Sequence, residues 1–130
     1  MAFELALSST KPLVDMLVAA VNLLGENPPS KVVILEVAEQ GASLQITEPK
    51  RVAFVKIYIP RGLFLKYNIE DKELVEIPWY DLERVLKRSK SSDVLILKKG
   101  NESVLEVTFE SVAIRTFRLP LLSPQKTLSS

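Results

Sequence analysis

The residues best placed to do chemistry are cations. Arg84, Lys87 and Arg88 fall on one side of the segment Pro78–Lys90, with Lys90 off to one side near its end. At 100° per residue, Trp79, Leu82, Val85 and Leu86 share the opposite side. A face of Arg and Lys with no reactive group beside it binds anions by charge and is blind to base sequence, so phosphate is the fitting ligand. The same spacing describes a solvated helix face whose cations suit the C-terminal end of the helix dipole. On the residues alone, both readings stand.

Other chemistries lack their parts. Cysteine and histidine are absent. There is then no disulfide and no thiolate nucleophile, and zinc loses its usual ligands. A Ser-His-Asp relay and an imidazole base are also out of reach. The acidic residues fall mostly at turns or on outward strand positions, and no motif sets two of them as an acid and base pair. The 4 glycines are isolated, so no Gly-rich phosphate loop exists. The expectation is no catalytic residue, no metal, no cofactor and no enzyme.

Bulk properties narrow the setting. A chain of 130 residues suits one domain with a core that needs no staples. Hydrophobic residues at 47% and charged residues at 25% are an ordinary globular mix. With a net charge of +1, attraction to nucleic acid must come from a local patch. No apolar run reaches membrane length, and no basic leader precedes an apolar block, so an intracellular, membrane-free protein is expected. Few Asn and Gln beside many Lys, Glu and Arg are compatible with a thermophilic source.

The elements that must carry the cations follow from periodicity. Phe3, Leu5 and Leu7 alternate with Glu4, Ala6 and Ser8 as a strand over 3–8. Ser9 or Thr10 can cap a helix whose inward residues would be Leu13, Met16, Leu17, Ala20 and Leu24, with Gly25 as the stop. Residues 31–39, 42–47 and 51–60 read as strands, with Gly41 at a hairpin turn. Residues 61–72 read as irregular. The pattern then restarts: a strand over 73–77, a helix over 78–90, and strands over 93–98, 103–109 and 112–119. The order is strand, helix, three strands, twice, which is an internal duplication of architecture. It predicts an α+β fold with two helices on one side of an antiparallel sheet layer.

The stretch LQITEPKRVAFVKIYIPRGLFLKYNIED resembles the central part of archaeal sliding clamps of the proliferating cell nuclear antigen family. DLERVLKRSKSSDVLIL, RTFRLPLL and the doubled plan fit the same family, and the likeness runs from Phe3 to Leu122. It implies a DNA-clamp domain of two βαβββ units over residues 1–122, with 123–130 as the start of an interdomain connector. Such clamps carry two domains per chain and close as trimeric rings around duplex DNA. They dock DNA polymerase and other proteins through short hydrophobic peptides. The chain would then be the N-terminal half of a processivity factor, working in the cytoplasm at the nucleoid with other clamp subunits, in homomeric or mixed rings.

The resemblance also implies sites. Arg84 and Lys87 match cations that line the ring hole; Arg88 is added on geometry, with Lys90 and Lys11 as flanking cations. Around the first helix the family often carries several Lys, whereas this chain has Val14, Asp15 and Val21 there and only Lys11 at its start. Val14, Val18 and Val21 form a stripe that is either part of the core face or a protein contact. Strand 51–60 is apolar on both faces, and Arg51, Val52 and Phe54 match walls of the partner-peptide pocket. Leu121, Leu122 and Leu128 of the connector complete it or simply cover it. The last strand, with Ile114, Arg115, Phe117 and Arg118, would pair edge to edge with a neighbouring subunit, and its bare edge predicts self-association. A stand-alone peptide-binding or regulatory domain, or a paralogue in damage signalling, remains open on the same residues.

Overall fold

A computed structural model describes residues 2–23, 32–47, 54–90 and 92–122. Among these the order is β1 (Phe3–Leu7), α1 (Lys11–Leu23), β2 (Val32–Ala38), β3 (Gly41–Thr47), β4 (Phe54–Pro60) and a single 3₁₀ turn (Arg61–Leu63). There follow β5 (Lys66–Ile69), β6 (Glu73–Pro78), α2 (Trp79–Leu86), β7 (Val94–Lys99), β8 (Val104–Glu110) and β9 (Ile114–Pro120). The strands form two antiparallel sheets, ordered β5-β1-β7-β8-β9 and β4-β3-β2-β6. The fold is α+β, as the sequence predicts.

The two units interlock. β1 pairs with β7 of the second unit, while β6 pairs with β2 of the first. Each unit thus lends its first strand to the other unit's sheet, and neither sheet is complete from one unit alone. The core lies between and under these sheets. Val33, Leu35 and Val37 of β2 alternate inward with Leu105, Val107 and Phe109 of β8, all 0–1% exposed. Leu13, Leu17 and Ala20 of α1 and Trp79, Leu82, Val85 and Leu86 of α2 close over the same cluster.

Two expectations need correction. Residues 61–72 are not wholly irregular: Leu5 faces Tyr67 and Phe3 faces Ile69 across β1 and β5. The strand forms because β1 offers a free edge there and Tyr67 buries its ring, donating its hydroxyl to Ala38 O. Met16, which the spacing places inward, is 45% exposed; Val14 packs on the core instead. The core face of α1 is therefore turned from the expected one. Leu24 and the Val21 side chain lie outside the described residues. At the start of α1, Thr10 O accepts the Val14 N–H at 3.0 Å and the Thr10 hydroxyl donates to Asp93 O at 3.2 Å.

Gly41 is needed for close approach. A Cβ there would sit 2.6 Å from Ile59 O and 2.7 Å from the Tyr58 hydroxyl. The third strand of this sheet crosses so near the β2–β3 hairpin that only hydrogen fits. Tyr58 donates its hydroxyl to Gln40 O at 3.1 Å, tying β4 to the same hairpin.

Candidate nucleic-acid interface

α2 begins at Trp79, directly after β6, and its burial follows the expected face: Trp79, Leu82, Val85 and Leu86 point inward. Asp81 in the first turn favours the positive end of the helix dipole. Arg84 and Lys87 point away from the core, with side chains 64% and 71% exposed. Their carboxylate neighbours are loose: Arg84 to Asp81 at 4.0 Å and Lys87 to Glu83 at 3.7 Å. Exposed pairs of this kind contribute about 0–1 kcal/mol and leave the cations open to another anion. Cations on and between the other strands are held more closely, as in Lys72–Glu36 at 3.1 Å, Lys66–Glu4 at 3.3 Å and the nearly buried Lys99–Glu73 at 2.6 Å.

The helix is shorter than the 78–90 that periodicity predicts. Lys87 is its C-cap, and Arg88 and Lys90 lie beyond it. The chain turns because the last carbonyls find new donors: Arg88 N–H bonds Val85 O at 2.9 Å, and Ser89 N–H bonds Leu86 O at 3.1 Å. The Ser89 hydroxyl also donates to Leu86 O at 2.7 Å. Asp93 then captures the Lys90 N–H at 2.7 Å. Arg88 consequently leans toward β9, its guanidinium 5.9 Å from the centre of the Phe117 ring. Among the described residues, neither the Arg88 guanidinium nor the Lys90 ammonium forms an ion pair.

Asp93 is the fixed point of this turn. It is fully buried, and Arg115 donates Nη2 to its Oδ2 at 2.6 Å and Nη1 to Arg88 O at 3.0 Å. The Lys90 N–H does most to hold its carboxyl below the usual carboxylate range; Arg115 and the Ser111 hydroxyl add to this against the opposing effect of burial. With Thr10 on its carbonyl, the residue joins the start of α1, the end of α2 and β9. Its neighbour Lys90 is three positions away, but the partners that tie it to other elements lie 22 and 83 positions away, beyond any local sequence signal.

α1 offers no free charge. Lys11, the one cation expected to help from this helix, is exposed but paired with Asp15 at 3.2 Å one turn on. Met16 and Val18 are exposed beside it. Of the stripe Val14, Val18 and Val21, Val14 belongs to the core and Val18 does not.

The expected peptide pocket is not assembled by the described residues. Arg51, Val52 and Leu128 lie outside them, and of Phe54 only the backbone pairing with Thr47 is described. Leu121 and Leu122 are at the other edge of this sheet: Leu122 N–H bonds Glu76 O of β6 and Leu121 N–H bonds Ser103 O, both at 3.0 Å. Two strands separate β6 from β4, which is about 14 Å at ordinary strand spacing. Leu122 therefore sits at the opposite edge of the sheet from the β4 backbone. Leu121 and Leu122 line a cavity of about 390 Å³ with Glu73, Leu74 and Lys99.

β9 is an edge strand, as expected. Ile114 is exposed and Arg118 reaches Glu106 at 2.9 Å and Glu102 at 3.4 Å. Arg115 and Phe117 face the interior, the first on Asp93 and the second with its ring 5.9 Å from Phe109. Among the described residues, no cluster of acidic side chains is arranged to hold a metal. No helix there is long and apolar enough to cross a membrane.

The family model described as "Proliferating cell nuclear antigen, N-terminal domain" matches residues 16–119, which takes in α2, α1 from Met16 onward, and every strand but β1 and the end of β9. The chain belongs to the proliferating cell nuclear antigen family. It is 37% identical over 126 residues to the DNA polymerase sliding clamp of Thermococcus gammatolerans, covering 97% of this chain and 48% of that one. The DNA polymerase sliding clamp of Pyrococcus horikoshii is 33% identical with the same coverage. The structure of the proliferating cell nuclear antigen from Thermococcus kodakaraensis superposes with a TM-score of 0.80 at 28% identity, over 95% of this chain and 48% of that one. A chain from the PCNA2–PCNA3 complex of Sulfolobus tokodaii shares the fold at a TM-score of 0.79 and 24% identity. The clamp domain thus spans about half the length of the curated relatives it matches.

Proposed function

We propose that this clamp domain is the N-terminal half of a DNA sliding-clamp subunit. Residues 1–122 are the domain and 123–130 begin the connector. A closed ring keeps a polymerase on its template by topology, so no tight or base-specific contact is needed and no chemistry is performed. The observation that carries the reading is the outward face of α2, where Arg84 and Lys87 stand 64% and 71% exposed with only loose acidic neighbours. Such cations attract phosphate without reading sequence, which suits sliding. Lys90 and Arg88 extend the positive surface past the helix end, while Lys11 adds little beside Asp15. Partners are duplex DNA, a DNA polymerase and other proteins with short hydrophobic motifs, and further clamp subunits docking on the β9 edge. The peptide pocket draws on Arg51, Val52 and Phe54. The place of action is the cytoplasm, at the nucleoid.

The test is retention on DNA. The domain, joined to the second half of the Thermococcus gammatolerans clamp so that a ring can close, is loaded on nicked circular duplex. It stays on circles and leaves once the circle is cut. Equal loss from both would refute the sliding-clamp reading. A domain that binds partner peptides without encircling DNA is the second reading, favoured by the outward face of α1, where Met16 and Val18 are exposed beside the mutually paired Lys11 and Asp15. Peptide binding without retention on circles would select it.

A further inference from the structure

Tyr80 has no structural work to do where it stands. Its neighbour Trp79 fills the core at 4% exposure, but Tyr80 is 58% exposed on the outward side of α2. Burial does not explain it, and among the described residues its hydroxyl has no hydrogen-bond partner. Its ring lies beside Arg84, whose guanidinium carbon is 5.5 Å from the ring centre, within reach of a cation–π contact. Positions 80, 84 and 87 recur at i, i+4 and i+7, so the phenol and the two cations form one stripe about 10 Å long.

We infer that Tyr80 is a member of the phosphate-binding surface: its hydroxyl donates to a phosphodiester oxygen of duplex DNA and its ring seats the Arg84 guanidinium. The inference rests on the proposal that this face of α2 meets DNA. Tyr is an established donor to phosphate oxygens, and it carries no charge. The ring restrains Arg84 without consuming its donors, since the guanidinium keeps its N–H groups free for an anion while it lies against the aromatic edge or face. Asp81, at 4.0 Å, is too far to hold Arg84 in a close pair. The stripe therefore combines two cations that attract at long range with one neutral donor that acts only on contact.

The two kinds of contact separate in salt. Binding of the 130-residue chain to a fluorescently labelled 20-base-pair duplex is followed by anisotropy across a range of sodium chloride concentrations. Tyr80→Phe keeps the ring and loses the hydroxyl; it weakens binding about three- to tenfold at every salt concentration, the cost of one net hydrogen bond. The slope of log affinity against log salt stays as in the wild type, because no charge has changed. Tyr80→Ala weakens binding further, and combined with Arg84→Ala the losses are less than multiplicative, because part of the tyrosine's effect passes through the arginine. Unfolding midpoints of the Tyr80 variants, which alter an exposed side chain, stay close to the wild type. Wild-type affinity for both Tyr80 variants would overturn this inference alone. A wild-type chain that ignores duplex DNA at low salt would overturn it together with the DNA-facing reading.

Discussion

Removing two charges from α2 gives a quantitative check on the phosphate surface. Arg84→Ala with Lys87→Ala deletes two exposed side chains whose ion pairs, at 4.0 and 3.7 Å, are too loose to hold the fold together. Stability should change by less than about 1 kcal/mol. Each phosphate contact contributes about 0.9 to the slope of log affinity against log salt, so losing two flattens it by about 1.8. Between 50 and 200 mM salt, a fourfold range, the gap between wild type and variant then narrows about 12-fold. Anisotropy titrations at four or five salt concentrations resolve this readily. Circular dichroism establishes that the variant is folded. Parallel lines, with the variant weaker by a constant factor or not weaker at all, would show that these cations face solvent and not phosphate.

Three further outcomes follow from single residues. Asp93 has a folded pKa below its ordinary value, so its contribution to stability is complete above about pH 4 and fades as pH falls toward the lowered value. The urea midpoint of Asp93→Asn should therefore trail the wild type at pH 7 and approach it at pH 3; a constant gap would refute the assignment. Gly41→Ala forces a Cβ to within 2.6 Å of Ile59 O and should cost about 1–3 kcal/mol in urea unfolding, whereas unchanged stability would mean the hairpin yields freely. Phe109→Ala removes a fully buried ring that Phe117 and Arg115 both touch, and should cost about 3–5 kcal/mol with an unchanged denaturant slope. A loss under about 1 kcal/mol would show that the core refills the space.

What the sequence reveals follows the range of the interactions. α2 was legible because Trp79, Leu82, Val85 and Leu86 repeat at helical spacing, and the outward placement of Arg84 and Lys87 comes with it. Its end was not legible: Lys90 is drawn out of the helix by Asp93, and Asp93 is held by Arg115 from a different strand. β5 was hidden because Lys66, Tyr67, Asn68 and Ile69 have no strong pattern of their own and are ordered by the waiting edge of β1. The exchange of β1 and β6 between the sheets depends on pairings across long stretches of chain, which local periodicity does not record. α1 misled in detail because apolar residues sit on both sides of its inward face, so that Met16 and Val14 compete on spacing and only packing decides. The family likeness carried the fold where periodicity stopped. It also grouped Leu121 and Leu122 with Phe54, and strand order separates them.

The central claim is that the outward face of α2 meets the DNA backbone while the outer faces of the sheets look away from it. Nitrogen-15 NMR of the labelled chain during titration with a short duplex tests this residue by residue. The account predicts that amide shifts concentrate at Tyr80, Arg84, Lys87 and the turn through Lys90, with little change at Glu36, Lys56 or Glu106 on the sheets. Shifts centred on the sheet faces, or spread evenly over both sides of the domain, would contradict it.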